Sequence, residues 1–205
     1  MLRYLALGDS YTIGEAVDEA GRWPMQLARL LRQEGVLLGD PRIIATTGWT
    51  TDELDAAITA AEPLGQHDFV SLLIGVNNQY RGRDVEEYRT QFAALLWRAI
   101  GFAGNRPDRV LVLSIPDWGV TPFGAKSGRD VAQIARELDA YNLAAREACT
   151  QRGVAFVDIT PVSRARGAEP GMVADDGLHP SAAMYTLWHQ RAFEVTRVLW
   201  AEPTR

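Results

Sequence analysis

Apolar residues gather into five short runs, at residues 4–7, 42–45, 69–74, 109–115 and 154–159. Runs of this length read as buried strands, since a helix needs ten or more residues to bury a face. Between and after them the apolar positions recur with helical spacing. Leu27, Leu30 and Leu31 form one stripe, and Leu54, Ile58 and Ala61 a second. Val85, Tyr88, Phe92, Leu95, Leu96 and Ala99 form a third. Val131, Ile134, Leu138, Tyr141 and Ala145 form the next, and Met184, Trp188, Val195 and Leu199 the last. Such stripes mark helices that face a core. Strands alternating with helices predict an α/β fold with a parallel sheet covered on both faces. Helix starts are legible too. Pro24 suits a first turn, Thr51 a cap, Asp84 with Glu87 a capping box, and Ser181 the start of the final helix. Residues 11–22, 116–127 and 160–179 read as loops.

The chain has 205 residues, no internal repeat and no linker, which predicts one domain over 1–205. A net charge of −5 without any local basic run gives no footprint for nucleic acid. The single cysteine, Cys149, excludes an internal disulfide and a cysteine zinc site. It lies in a helical pattern with Leu143 and Arg146, as a packed small hydrophobe does. No apolar run is long enough for a membrane span, and the start has no signal-peptide pattern. The expectation is a cytoplasmic protein without membrane insertion, with a removed signal in a longer precursor left open.

The first run delivers Gly8-Asp9-Ser10 into a sharp turn before a helix. In open α/β sheets ligands bind outside the carboxyl ends of the strands, where this serine sits. A nucleophilic serine needs a base, a group that orients the base, and donors for an oxyanion. On position alone Ser10 equally suits a turn or helix cap. Asp9 suits local hydrogen bonds that hold the turn. The second and third runs end at Thr47-Gly48 and Gly75-Val76-Asn77, and Asp175-Asp176-Gly177-Leu178-His179-Pro180 precedes the last helix. In a parallel sheet the three turns share one edge. His179 is the best base of the three histidines, with His67 and His189 read as structural or solvent-facing. Asp176, three residues before it across a glycine, is placed to fold back onto its Nδ1, and Asp175 is the rival. The Ser10 N–H, the Gly48 N–H and the Asn77 amide are placed to converge on an oxyanion. Each piece alone has a plain structural reading. Asn77 suits a turn, Gly48 a positive φ, and His179 the end of a loop.

Together, in this order, these residues resemble the SGNH hydrolase superfamily, also called GDSL esterases and lipases. Gly-Asp-Ser at 8–10 looks like its first block, Gly48 its second, Gly75-x-Asn77 its third and Asp176-x-x-His179 its last. The resemblance spans essentially the whole chain. It implies Ser10 as nucleophile, Asp176 and His179 completing a triad, and Gly48 and Asn77 as oxyanion donors beside the Ser10 amide. It also implies a three-layer α/β/α, flavodoxin-like sheet of strand order 2-1-3-4-5. The chain departs from the pattern at Tyr11, where the nickname has leucine, and at Asn78, where an aspartate is common. The contacts of that acid in relatives do not carry over.

The activity implied is hydrolysis of small, short-chain carboxylic esters through an acyl-serine. Carbohydrate deacetylase, thioesterase and lysophospholipase are alternatives in the same superfamily, and a catalytically inactive binding module is the non-enzyme alternative. Glycine spacing for a dinucleotide or phosphate loop is absent, and so is the Gly-x-Ser-x-Gly elbow of α/β-hydrolases. Three scattered histidines leave no obvious metal cage, and the chemistry asks for no cofactor. The expected partner is a small ester, and the sequence does not report oligomeric state. Trp49, Trp118 and Phe123 are candidate walls of the substrate site, in or beside the loop 116–129. The alternative for Trp49 is packing beneath the sheet edge.

Overall fold

The computed structural model describes residues 1–200. Five parallel strands form one sheet: β1 (Tyr4–Gly8), β2 (Arg42–Ala45), β3 (Phe69–Leu73), β4 (Val110–Leu113) and β5 (Ala155–Val157). Their order is β2-β1-β3-β4-β5. This is the α/β/α arrangement expected from the sequence. Nine helices accompany the strands among the described residues: α1 (Ser10–Ile13), α2 (Trp23–Gln33), α3 (Thr51–Ala61), α4 (Val76–Tyr80), α5 (Val85–Phe102), α6 (Pro122–Lys126), α7 (Val131–Arg152), α8 (Thr160–Arg166) and α9 (Ala182–Leu199). None is long and apolar enough to cross a membrane among the described residues.

Every residue of β1 and β3 is buried, which is why both read as continuous apolar runs. The one hydroxyl in β3, on Ser71, pairs with the Tyr4 hydroxyl at 2.9 Å, so burial leaves it satisfied. α2 packs against α9, and α5 packs against both α3 and α7. Right-handed crossovers explain the two layers. The chain steps from β1 to β2, then returns past β1 to β3, so successive crossovers fall on opposite faces. At the base of the sheet Trp200 stacks on Phe69 at 4.4 Å and meets Tyr4 edge-on at 5.6 Å. Cys149 is buried, and burial pushes its thiol pKa up to about 12, as for an inert packed side chain.

That reversal about β1 matters most for the site. It opens a crevice outside the carboxyl ends of β1 and β3, the switch point of the sheet. Gly8 closes β1 there, paired with Ala45 on one side and Leu73 on the other. A Cβ on Gly8 would stand 2.2 Å from Thr12 Oγ1 and 2.6 Å from the Leu73 carbonyl oxygen. Close approach, and not an unusual turn, is the reason for glycine at this position.

The predicted loops hold short helices. Residues 11–22 start inside α1, the stretch 116–127 contains α6, and 160–179 contains α8. One- and two-turn helices offer too few positions for a periodic pattern. The cap of α3 is Thr50, one residue before the position expected, in a capping box with Glu53. Asp84 caps α5 through the Glu86 and Glu87 amides, but the Glu87 carboxylate accepts from Gln91 and leaves the box half made. Val131, expected inward, is exposed as the first residue of α7.

Candidate active site

Ser10 is the first residue of α1, two residues past the end of β1, an interior strand of the sheet. Its N–H is first in the helix and has no intrahelical acceptor. Asp9 caps the helix, with Oδ1 accepting from the Tyr11 N–H at 3.0 Å. Its carboxyl is wholly buried, and that burial raises its pKa to about 7 against the pull of backbone N–H groups, those of Tyr11 and Gly75 among them. The role expected of Asp9, holding the turn, matches these bonds.

The second turn carries Gly48 with φ +90° and no heavy atom nearer than 4.0 Å to a built Cβ, so its backbone conformation calls for glycine. The Gly48 carbonyl accepts from Arg81 Nη2 at 2.6 Å, and Arg81 Nη1 lies 3.2 Å from Glu53 Oε1. The Thr50 N–H and Arg81 hold the Glu53 carboxyl below its usual range, against desolvation. On the third turn Asn77 Nδ2 donates to the Trp49 carbonyl at 2.9 Å. An amide nitrogen has two N–H groups, so one fixes the side chain and the other is left for a ligand.

Asn78 answers what stands in place of the usual acid. It is fully buried, its Oδ1 accepting from the Thr51 N–H at 3.1 Å and its Nδ2 donating to Thr51 Oγ1 at 2.7 Å. The Thr51 hydroxyl in turn donates to Gln91. This closed set clamps the third turn to the start of α3.

In the last block Gly177, at φ +72°, turns the chain back on itself. Asp176 Oδ1 accepts from the Leu178 and His179 N–H groups, each at 2.9 Å, and Oδ2 lies 2.6 Å from His179 Nδ1. Desolvation alone would raise the Asp176 carboxyl, but the His179 ring and the two amides hold it below the usual carboxylate range. The bond to Nδ1 leaves Nε2 free to face a substrate. Of the two candidate acids, the structure joins Asp176 to His179.

One cavity of about 230 Å³ gathers most of these groups. Ser10, Gly48, Asn77, His179, Trp118 and Phe123 all line it. No hydrogen bond joins Ser10 to His179 among the described residues, a contact that free enzymes often make only once substrate binds. Trp49 does not line the cavity. It is half-buried against the core and serves Asn77 through its carbonyl. His67 and His189 are buried elsewhere, with pKa values lowered by burial. No group of three His, Cys, Asp or Glu side chains gathers as a metal cage among the described residues.

Thr47, Val76, Tyr80 and Leu178 also line the cavity and escaped the sequence reading. Tyr80 lies one helical turn after Asn77, a signal visible only once α4 is read as a helix. Trp118 is held by Nε1 donating to Gln79 Oε1 at 2.8 Å, and Gln79 in turn donates to Glu137 at 2.7 Å. The Arg129 guanidinium lies 4.3 Å above the Tyr80 ring centroid and donates to the Tyr80 carbonyl. The Phe123 N–H donates to the Gly177 carbonyl at 3.0 Å, which pins α6 to the last block.

The family model for the GDSL-like lipase/acylhydrolase family matches residues 6–187. No curated protein matches in sequence. Among solved structures, TesA is 19% identical with a TM-score of 0.75, over 96% of this chain and 99% of that one. A lipase/acylhydrolase from Enterococcus faecalis is 19% identical with a TM-score of 0.72, over the whole of both chains. A variant of Axe2, an acetyl xylan esterase from Geobacillus stearothermophilus, is 20% identical with a TM-score of 0.70, over 100% of this chain and 97% of that one. At such identities these likenesses speak to the fold. Family membership rests on the match across nearly all of the chain, and the protein is an ester-bond hydrolase belonging to the GDSL-like lipase/acylhydrolase family.

Proposed function

We propose that the chain works as a single-domain serine esterase on short-chain acyl esters, with Ser10, His179 and Asp176 as its triad. The observation that carries this reading is the cavity shared by Ser10, Gly48, Asn77 and His179, with Asp176 bonded behind the imidazole. His179 Nε2 takes the proton from Ser10 Oγ as the oxygen attacks the ester carbonyl carbon. Negative charge builds on the carbonyl oxygen, which the Ser10 N–H, the Gly48 N–H and the second Asn77 N–H receive. Collapse breaks the bond to the alcohol, which leaves with the proton from His179. Water then repeats the sequence on the acyl-serine, releasing the acid and restoring Ser10. The cavity, about 230 Å³, is smaller than the roughly 300–1,000 Å³ of sites for drug-sized ligands, which favours short acyl groups.

A serine-directed phosphonate tests the assignment without knowledge of the natural ester. Peptide mapping is expected to find the label on Ser10, lost in Ser10→Ala and strongly slowed in His179→Ala. His67→Ala and His189→Ala are expected to label normally. Folded wild type that takes no label, and cleaves nothing in a panel of acyl esters, acetylated sugars and thioesters, would instead be a binding module. Label on another serine would keep the hydrolase and discard the residues.

A further inference from the structure

A second, much smaller cavity of about 20 Å³ lies behind the first, and the two share Tyr11, Trp118 and Leu178 as walls. Its other walls include Met172, Val173, Pro180 and Met184. An apolar void with room for about one water is a space that water does not favour and a methylene does. A residue that lines both spaces is part of the partition between them.

The three shared residues differ in how firmly they are held. Trp118 is tied by its hydrogen bond to Gln79 and packs edge-on against Tyr80 at 5.3 Å. Tyr11 sits between the rings of His179 and Trp188, 6.1 Å and 5.8 Å away. Leu178 has an aliphatic side chain, half-buried, with no polar tie, while its backbone N–H holds Asp176. Met172 and Met184 beyond it are unbranched side chains that repack at low cost. The opposite side of the first cavity carries Tyr80 and Phe123, 41% and 36% exposed, and so opens to solvent. A leaving alcohol must escape into water, whereas the acyl group stays bonded to Ser10. The closed, apolar end therefore belongs to the acyl chain.

We infer that Leu178 sets the length of acyl chain the site accepts, by closing the small cavity behind the catalytic one. This rests on the esterase reading above. Truncation to alanine removes Cγ and both Cδ atoms but keeps the N–H that holds Asp176, so the two spaces join and a longer chain gains apolar burial. Enlargement to phenylalanine fills the closed end and shortens the limit.

The test is a ladder of esters with one alcohol and acyl groups from acetyl to decanoyl. The kcat/KM values are normalised to each variant's own acetyl rate, and a matching ladder varies the alcohol alone. Wild type is expected to fall beyond butyryl. Leu178→Ala is expected to move the maximum to longer acyl groups, gaining about fourfold per methylene accommodated, with the alcohol ladder unmoved. Leu178→Phe is expected to fall sooner, and Leu178→Met, of similar volume, to follow wild type. An active wild type with an unchanged acyl profile in L178A overturns the inference alone, as does a change confined to the alcohol ladder. A crystal structure of L178A with the cavities still separate also overturns it, independent of turnover. A wild type inert to the whole ladder defeats the esterase reading and this inference with it.

Discussion

Ser10 follows β1, an interior strand, from a turn where Gly8 has no space for a side chain and Asp9 is buried against backbone. His179 sits in a loop between α8 and α9, held by Asp176 through bonds spanning two or three residues. The first region is fixed by the packing of the whole core, the second by a closed local set. The position of Ser10, the proposed nucleophile, should therefore fail together with the fold, and that of His179, the proposed base, separately from it.

The largest effect expected within that contrast is on the local set. Asp176→Asn removes the charge that pairs with His179 and favours the wrong tautomer, so kcat should fall by about 10⁴-fold while the melting temperature barely moves. Asp175→Asn should leave kcat at the wild-type level. Steady-state kinetics beside thermal unfolding would check both, and similar losses in the two variants would break the assignment. Next comes the proposed oxyanion site, which belongs to the packed region. Asn77→Ala should lower kcat by about 10²–10³-fold with KM little changed, because the contact strengthens mainly in the transition state. Near wild-type kcat would remove Asn77 from the mechanism.

Two glycines set the regions directly against each other. Gly8→Ala forces a methyl into Thr12 and the Leu73 carbonyl, and should cost about 1–3 kcal/mol in urea unfolding. Gly177→Ala makes only ordinary van der Waals contact, with Pro122 Cβ at 3.5 Å, but takes an unfavourable φ of +72°. Its cost, about 1–2 kcal/mol, should fall on the loop, lowering phosphonate labelling more than global stability. Equal global losses in the two would erase the distinction between the regions.

A further expected effect is a pH dependence in the packed turn. Burial raises the Asp9 pKa from 3.8 to about 7 in the fold, so the native state holds this proton more tightly than the unfolded chain. Its contribution to stability is complete below about pH 4 and is lost as pH rises through about 7. Asp9→Asn, neutral at every pH, should lack that decline in unfolding experiments between about pH 4 and 7, the window set by the shift. Parallel curves for the two proteins would mean that Asp9 does not titrate there.

The strand runs and the four blocks were legible because burial on both faces leaves continuous apolar stretches, and chemistry leaves small or polar residues at their ends. Short helices were not, since α4 and α6 have five residues each and show no period. That concealed Tyr80, which only a helical turn brings round to Asn77. Trp49 misled for a different reason. It acts through its carbonyl, a group every residue has, so the identity of its side chain carried no signal. Leu178 was visible as an apolar residue in a polar loop, but its place as a wall depends on Tyr11 and Trp118 arriving from the turns after β1 and β4.

The amide of Asn78 has a consequence for behaviour in acid. A carboxylate in that buried position would bring a charge needing compensation and would have no donor for the Thr51 hydroxyl. The amide neither gains nor loses a proton in the range where proteins stay folded, so the Asn78 clamp is blind to pH, unlike the Arg81–Glu53 pair beside it. Acid that discharges Glu53 weakens that pair and leaves the Asn78 clamp intact. The third turn thus keeps one tie to α3 that outlasts the discharge of its neighbours and is already made on the return to neutral solution.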